Sequence, residues 1–334
     1  MPVAINLTIL LMVALGTGYG QDAAERAPGE VDPIQRIAII GASASAGFGV
    51  VVEQAEDDTD QYSKTMLNMK DLLVVADGSA EVVYLDLSSH LFFSRPRAFA
   101  RSAVDRLLQW KPELVFGVDF LFWFTFGALP EEKRLDFLEV GLGMLDEIAE
   151  TGVPVVIGEV PDLEGTKSFV ISARQIPKRT TVIKANRRIN EWASERANVA
   201  VVPLQRLTDQ LSQGAGITVG SHQWNPQEEG ISMVAVDKLH PTFDGMICLV
   251  QAMEVAARSI KPPAGQLPPL ELDRDALMKR MRVRRLAPRR PRSAKRSRTH
   301  LFFLGFLDSM FRRRFLSLSV VASSRAANTA GRTA

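Results

Sequence analysis

The sequence predicts an α/β fold in which helices cover both faces of a mostly parallel β-sheet. Strand-like runs alternate with helix-like stretches, the strand-like runs are apolar at nearly every position, and 46% of the 334 residues are hydrophobic. Strands that are apolar throughout are buried on both faces, which is typical of parallel sheets with helical crossovers. The repeated alternation therefore predicts a doubly wound sandwich with a sizeable core.

The elements follow one another in a regular order along residues 35–261. The first strand is Ile-rich and runs directly into Gly41, and the next four are similarly short and apolar. The helix after the third strand is long and amphipathic, and Gly152 stands where a helix C-terminus needs a residue of positive φ. The predicted strands are 36–40, 81–87, 114–120, 154–160 and 199–204, and the predicted helices are about 97–110, 131–151, 180–197 and 245–260.

The two ends of the chain differ from this body. Residues 5–15 form an apolar run that is followed by Gly18-Tyr19-Gly20, so 1–20 is predicted to be a signal peptide for export to the periplasm or the outside, and 21–34 a linker. The alternative is an uncleaved membrane anchor, because no Lys or Arg precedes the apolar run. The single cysteine, Cys248, excludes an intrachain disulfide and is expected to be a small core residue.

The net charge of +2 hides an acidic body and a basic tail. Residues 276–334 contain sixteen Lys or Arg and one acid, which leaves a net charge of −13 for residues 1–275. An acidic body argues against a nucleic-acid ligand. Prolines from 262 onwards predict the end of the domain at 261, and 262–334 is expected to be a disordered tail. Its basic residues suit contact with an anionic membrane surface, although a solvated tail without a dedicated role is the alternative.

Candidate catalytic residues stand at two of the predicted loops. Small residues follow the first strand, so this loop is expected to turn sharply and to present Ser43 at a strand-to-helix junction. A serine hydroxyl needs a neighbouring base, and the base needs a third group to orient it. His240 lies before the last helix, with Asp237 three residues earlier, which is close enough in a turn for a hydrogen bond to the ring. Ser45 is a rival nucleophile, and His90 is either a solvated loop residue or a substrate contact.

These motifs resemble those of the SGNH (GDSL-like) hydrolases over roughly 35–260. The run Gly41-Ala42-Ser43-Ala44-Ser45-Ala46-Gly47 resembles their first block, and Asp237-Lys238-Leu239-His240-Pro241-Thr242 resembles their last. The resemblance implies a flavodoxin-like three-layer sandwich with a five-stranded parallel sheet in the order 2-1-3-4-5. It also implies an esterase with Ser43 as nucleophile, His240 as base and Asp237 as orienting acid. No cofactor or metal is expected, and the substrate is a small-molecule, carbohydrate or lipid ester that forms an acyl-enzyme.

The oxyanion hole is where the sequence departs from that family. The family's Gly-x-Asn block corresponds to Gly117-Val118-Asp119, and no glycine follows the second predicted strand. The candidate donors are therefore Ser43, Ser89 and Asp119. An ionised Asp119 would repel an oxyanion, so it could donate only if its aromatic neighbours favour the protonated acid. The alternative is that Asp119 caps a neighbouring loop. A degenerate oxyanion hole would instead favour a non-catalytic SGNH-like binding protein.

Overall fold

The computed structural model describes residues 32–56, 61–166, 168–213, 215–261 and 265–284. The strands are β1 (Arg36–Ile39), β2 (Val51–Ala55), β3 (Tyr62–Met66), β4 (Val83–Asp86), β5 (Leu114–Gly117), β6 (Val155–Gly158), β7 (Val199–Val202), β8 (Ile217–Val219), β9 (His222–Trp224) and β10 (Val283–Arg284). The helices are α1 (Met69–Asp77), α2 (Pro96–Trp110), α3 (Phe122–Thr125), α4 (Arg134–Ala149), α5 (Arg179–Ser194), α6 (Leu204–Ser212), α7 (Pro226–Glu229), α8 (Phe243–Ser259) and α9 (Arg274–Arg280).

The central sheet has five parallel strands in the order β4-β1-β5-β6-β7. These are the five strands that the sequence predicts, and the predicted order 2-1-3-4-5 is confirmed. The inner strands β5 and β6 are buried at every position, which explains their apolar character, whereas the edge strands β4 and β7 are only partly buried. The fold is therefore a three-layer α/β sandwich.

Strand β1 shows how the two faces of the sheet are filled. Ile37 and Ile39 belong to one buried cluster, which also contains side chains of α1 and α8. Ala38 and Ile40 belong to the other, which contains side chains of α2, α4 and α5. The helix after the third predicted strand ends as expected, since Gly152 has a φ of +82° just beyond α4.

The described residues also form two smaller sheets, which were not predicted from the sequence. Strand β2 pairs antiparallel with both β3 and β10, and β8 pairs antiparallel with β9. The first loop consequently leads into strand β2 rather than into a helix, so the expected strand-to-helix junction at Ser43 is wrong.

The folded part extends past the predicted boundary at residue 261. Residues 265–284 contain α9 and β10, and they add five buried side chains to the core, namely Leu267, Leu272, Leu277, Met281 and Val283. The N–H of Ile34 donates to the carbonyl of Gln266, and the N–H of Gln266 donates to that of Asp32. The prolines do end α8, but apolar residues beyond them return to the core, so a tail beginning at 262 is wrong for 265–284.

Other predictions for the chain ends fall on residues that the structure does not describe. The signal peptide 1–20, most of the linker 21–34 and the basic segment from 285 onwards lie outside the described residues. Export and membrane-surface contact therefore stay predictions. Among the described helices, none combines the length and the apolar character that a membrane crossing requires.

Candidate active site

The structure brings together the three side chains that the sequence singled out. Ser43 lies in the loop after β1, and Asp237 and His240 lie in the loop before α8. His240 Nε2 is 2.8 Å from Ser43 Oγ, and His240 Nδ1 is 2.7 Å from Asp237 Oδ2. A proton on Nδ1 is held by the carboxylate, which leaves Nε2 to accept the hydroxyl proton of Ser43. The contacts match those of a serine nucleophile, a base and an orienting acid.

A tight turn sets the distance between Asp237 and His240. The N–H of Lys238 donates to the carbonyl of Ala235 at 3.0 Å, and the N–H of Ala235 donates to the carbonyl of His240 at 2.8 Å. Lys238 has a φ of +62°, a conformation that costs a residue with a side chain roughly 1 kcal/mol. The turn folds Asp237 Oδ1 onto the N–H groups of Leu239 and His240, both at 3.0 Å.

The acid and the base are buried, whereas the nucleophile is accessible. Asp237 and His240 are 4% and 3% exposed, and Ser43 is partly exposed. Burial by itself would raise the pKa of Asp237, but hydrogen bonds from the His240 ring and from the backbone outweigh it, so this pKa is lowered. The ring of Phe48 packs on the His240 ring with centroids 4.4 Å apart. Asp237 is thus held as a carboxylate against a ring that cannot swing away.

Asp119 holds the loop that carries Ser43. Its Oδ1 accepts hydrogen bonds from the N–H of Ala42 at 3.0 Å and from the hydroxyl of Ser45 at 2.6 Å. Its Oδ2 accepts from the N–H of Ala44 at 2.9 Å and from the N–H of Ser45 at 3.2 Å. We call this arrangement the Asp119 clamp. Both carboxylate oxygens serve as acceptors, so the predicted oxyanion-hole role for Asp119 is wrong and the loop-capping alternative describes it.

The clamp explains two other features of the first loop. A Cβ built at Gly41 would overlap the Asp119 carboxylate and the Ser45 hydroxyl, so glycine is needed there for steric reasons. Ser45 is 1% exposed and its hydroxyl is used by Asp119. Ser45 is therefore a structural residue, and Ser43 alone of the two faces the base.

The two remaining candidates for the oxyanion hole, Ser43 and Ser89, differ in whether their backbone N–H groups already have an acceptor. The N–H of Ser89 donates to the carbonyl of Gly41 at 3.0 Å, so it is not available to an oxyanion. In the described part of the chain, no hydrogen bond is recorded from the N–H of Ser43. The Ser43 N–H is thus the candidate that keeps its donor free. The hydroxyl of Ser89 accepts from the N–H of Leu91 at 3.2 Å, and its own proton remains for donation.

His90 lies nearer to the site than a solvated loop residue would. It is partly buried, and its ring centroid is 5.9 Å from that of Phe48, the ring that covers His240. Burial lowers the pKa of His90, and the neighbouring charge of His240 lowers it further. His90 is therefore held mainly in its neutral form at the edge of the site.

A cavity opens at Ser43 and His240, and the residues of its wall were not predicted from the sequence. They come from α6, β8 and α8, and include Leu207, Leu211 and Leu249. Each is an ordinary apolar helix residue, so no signal in the sequence distinguishes it from a core residue. Phe48, an apolar residue of the loop between β1 and β2, was also not predicted to be part of the site.

The chain has relatives among solved structures, although no family model and no curated protein matches it. It is similar to Axe2, an acetylxylan esterase from Geobacillus stearothermophilus, with 15% identity over 71% of this chain and 99% of that chain, and a TM-score of 0.45. It is also similar to LAE5, an alpha/beta hydrolase enzyme from the metagenome of Lake Arreo, Spain, with 14% identity over 69% and 98% of the two chains and a TM-score of 0.43. Similarities of this strength assign no activity to this chain.

Proposed function

We propose that this protein is a serine esterase that hydrolyses a carboxylic ester through an acyl-enzyme. The observation that carries the proposal is the continuous contact from Ser43 Oγ to His240 Nε2 at 2.8 Å and from His240 Nδ1 to Asp237 Oδ2 at 2.7 Å. Nucleophilic serine catalysis requires this sequence of groups within hydrogen-bond reach.

Each residue has one role in the proposed reaction. Ser43 Oγ attacks the ester carbonyl while His240 Nε2 takes its proton, and Asp237 stabilises the imidazolium that forms. His240 then gives the proton to the leaving alcohol, and the acyl group stays on Ser43. His240 takes a proton from a water molecule, whose oxygen attacks the acyl-enzyme. The bond between the acyl group and Ser43 Oγ then breaks, His240 returns the proton to Ser43 Oγ, and the acid leaves. The N–H of Ser43 supports the oxyanion in both steps.

A second candidate function is a non-catalytic binding protein with this fold. The observation in its favour is that two of the three predicted oxyanion donors are engaged elsewhere: Asp119 accepts hydrogen bonds and the Ser89 N–H binds Gly41. The loss of one oxyanion donor typically lowers kcat by about 10²–10³-fold. The esterase proposal therefore predicts slow turnover, and the binding alternative predicts none.

A fluorophosphonate probe separates the two functions because it reacts only with an activated serine. We expect the probe to label the wild-type protein and the Ser45→Ala variant, but not Ser43→Ala or His240→Ala. Ser45→Ala is the matched control, since it removes a hydroxyl from the same loop. Absence of labelling in wild-type protein that gives a folded circular dichroism spectrum would refute the esterase and favour the binding protein.

A further inference from the structure

The cavity at Ser43 is lined mainly by apolar side chains. It measures about 150 Å³, and Ser43 and His240 stand at its wall. Along α6 its lining residues recur at i, i+3, i+4 and i+7, the spacing that places them on one face of a helix. The apolar part of the wall includes Leu204, Leu207, Leu211, Ile217, Cys248 and Leu249.

Polar side chains in the same wall are already occupied by the protein. The carboxylate of Glu159 accepts from the side chain of Asn190 at 2.9 Å and from the N–H of Gln205 at 3.2 Å. The hydroxyl of Thr208 donates to the carbonyl of Leu204 at 2.8 Å. These hydrogen bonds use part of the bonding capacity of Glu159 and Thr208, so a ligand with several hydroxyl groups would find few partners in the cavity.

The other two titratable groups in the wall behave in the same way. The oxygens of Asp119 are used by the Asp119 clamp. Burial raises the pKa of the Cys248 thiol to about 12, so the thiol is neutral and acts as a small apolar group. Within the described residues, Ser43 and His240 are thus the polar pair of the wall whose contact suits a reaction with the substrate.

Resting on the proposed esterase, we propose that the substrate is an ester with one apolar arm of about six carbons, which fills this cavity. A cavity of about 150 Å³ is large enough for a molecule the size of benzene, and its apolar wall favours an apolar occupant. An acetyl group would leave most of the cavity empty, and a sugar would lose its hydrogen bonds to water there. Among lipid, sugar and small-molecule esters, the cavity therefore selects those with a short aliphatic chain or a single ring.

Two series of simple esters test the chain length and show which arm enters the cavity. One series contains methyl esters of straight-chain acids from acetate to dodecanoate, and the other contains acetates of alcohols from methanol to dodecanol. Burial of each methylene raises kcat/KM by up to about fourfold. We expect an optimum near six carbons in one series, with kcat/KM about 10- to 200-fold above that of methyl acetate. Hydrolysis of methyl acetate without a rise in either series would overturn the proposal.

Variants of the cavity wall test whether the cavity causes the chain-length optimum. Leu211→Trp, on the last turn of α6, is expected to lower the ratio of kcat/KM for the six-carbon ester to that for methyl acetate at least tenfold. Leu249→Phe, on α8, tests a second lining residue if the first variant melts early. Arg206→Trp is the matched control, because Arg206 is exposed on the same helix and does not line the cavity. An unchanged ratio in folded Leu211→Trp and Leu249→Phe would overturn the proposal.

Failure of this inference and failure of the esterase proposal give different results. If Ser43 is labelled by the fluorophosphonate and methyl acetate is hydrolysed without a chain-length optimum, the cavity proposal alone is wrong. If Ser43 is not labelled and no ester in either series is hydrolysed, the esterase is wrong and the cavity proposal fails with it.

Discussion

Replacement of Asp119 by asparagine tests the Asp119 clamp directly. If the residue at 119 donated to an oxyanion, an amide would do so better than a carboxylate, and activity would rise. If the carboxylate is the acceptor that holds the nucleophile loop, the amide must weaken that loop. The two roles therefore predict changes of opposite sign for one substitution.

The expected magnitude follows from the four hydrogen bonds of the clamp. The amide oxygen of Asp119→Asn can still accept from the N–H groups of Ala44 and Ser45, and the Ser45 hydroxyl can rotate to accept from the amide nitrogen. The N–H of Ala42 then faces another donor, and a buried donor without a partner costs about 1–3 kcal/mol. The other three bonds lose their charge assistance, which makes each roughly half as strong. Charge-assisted bonds contribute about 1.5–3 kcal/mol each, so together these effects amount to about 3–7 kcal/mol.

Thermal unfolding and ester hydrolysis measure the two consequences. For a domain of this size, 1 kcal/mol shifts Tm by about 2–4 °C, so Asp119→Asn should melt about 6–28 °C below the wild type. Ser43 sits between two residues that the clamp holds, and its displacement should lower kcat/KM by roughly 10- to 100-fold.

The matched control is Asp86→Asn, at the end of the neighbouring strand β4. Asp86 uses one oxygen, Oδ1, to accept from the N–H and the hydroxyl of Ser88, and an asparagine oxygen can do the same. Its Tm should therefore change by only a small fraction of the Asp119→Asn shift. An Asp119→Asn protein that melts like the wild type and hydrolyses esters faster would refute the clamp.

Three further predictions concern acid stability, the domain end and the cysteine. Because the pKa of Asp237 is lowered in the fold, its carboxylate stabilises the protein above its ordinary pKa of 3.8, and this stability is lost as pH falls through the lowered value. In urea unfolding, the free energy of unfolding of the wild type should therefore exceed that of Asp237→Asn most near neutral pH, and this difference should disappear in strong acid. A difference that grows in acid would contradict the prediction. A chain that ends at 264 loses five buried side chains, worth about 7–15 kcal/mol, which equals the whole stability of a typical domain. The chain that ends at 264 should show no cooperative melting transition, whereas a chain that ends at 284 should melt like the full protein. Equal melting of the two shortened chains would show that 265–284 is dispensable. With a pKa of about 12, Cys248 should resist iodoacetamide at mildly alkaline pH in the folded protein and react in denaturing urea, and fast labelling of folded protein would contradict its burial.

The central sheet could be predicted because short stretches of sequence carry the patterns of its strands and of the helices between them. The central strands are mainly apolar, and each amphipathic helix repeats its apolar residues at helical spacing, so both patterns are visible within a few residues. The hairpin of β2 and β3 was not predicted, because β3 is largely exposed and its side chains carry no buried pattern. Residues 265–284 were misjudged because proline-rich and basic sequence surrounds the few apolar residues that return to the core.

The three residues of the candidate site could be predicted for a similar reason. Asp237 and His240 are three residues apart, so a turn is enough to join them, and a serine after the first strand must stand at the carboxyl edge of the sheet. The role of Asp119 could not be predicted in this way. Whether a carboxyl group accepts or donates depends on the groups around it, and its partners are more than seventy residues earlier in the chain.

By itself, then, the sequence determined the layers of the fold, the strand order through its family resemblance, and the three residues at the centre of the site. Only the tertiary structure decided how that site is supported and what shape it offers to a substrate. The clamp joins a strand end to a distant loop, and the cavity is the space left between helices that are remote in sequence. Such features depend on which surfaces meet after folding, and a pattern along the chain does not record that.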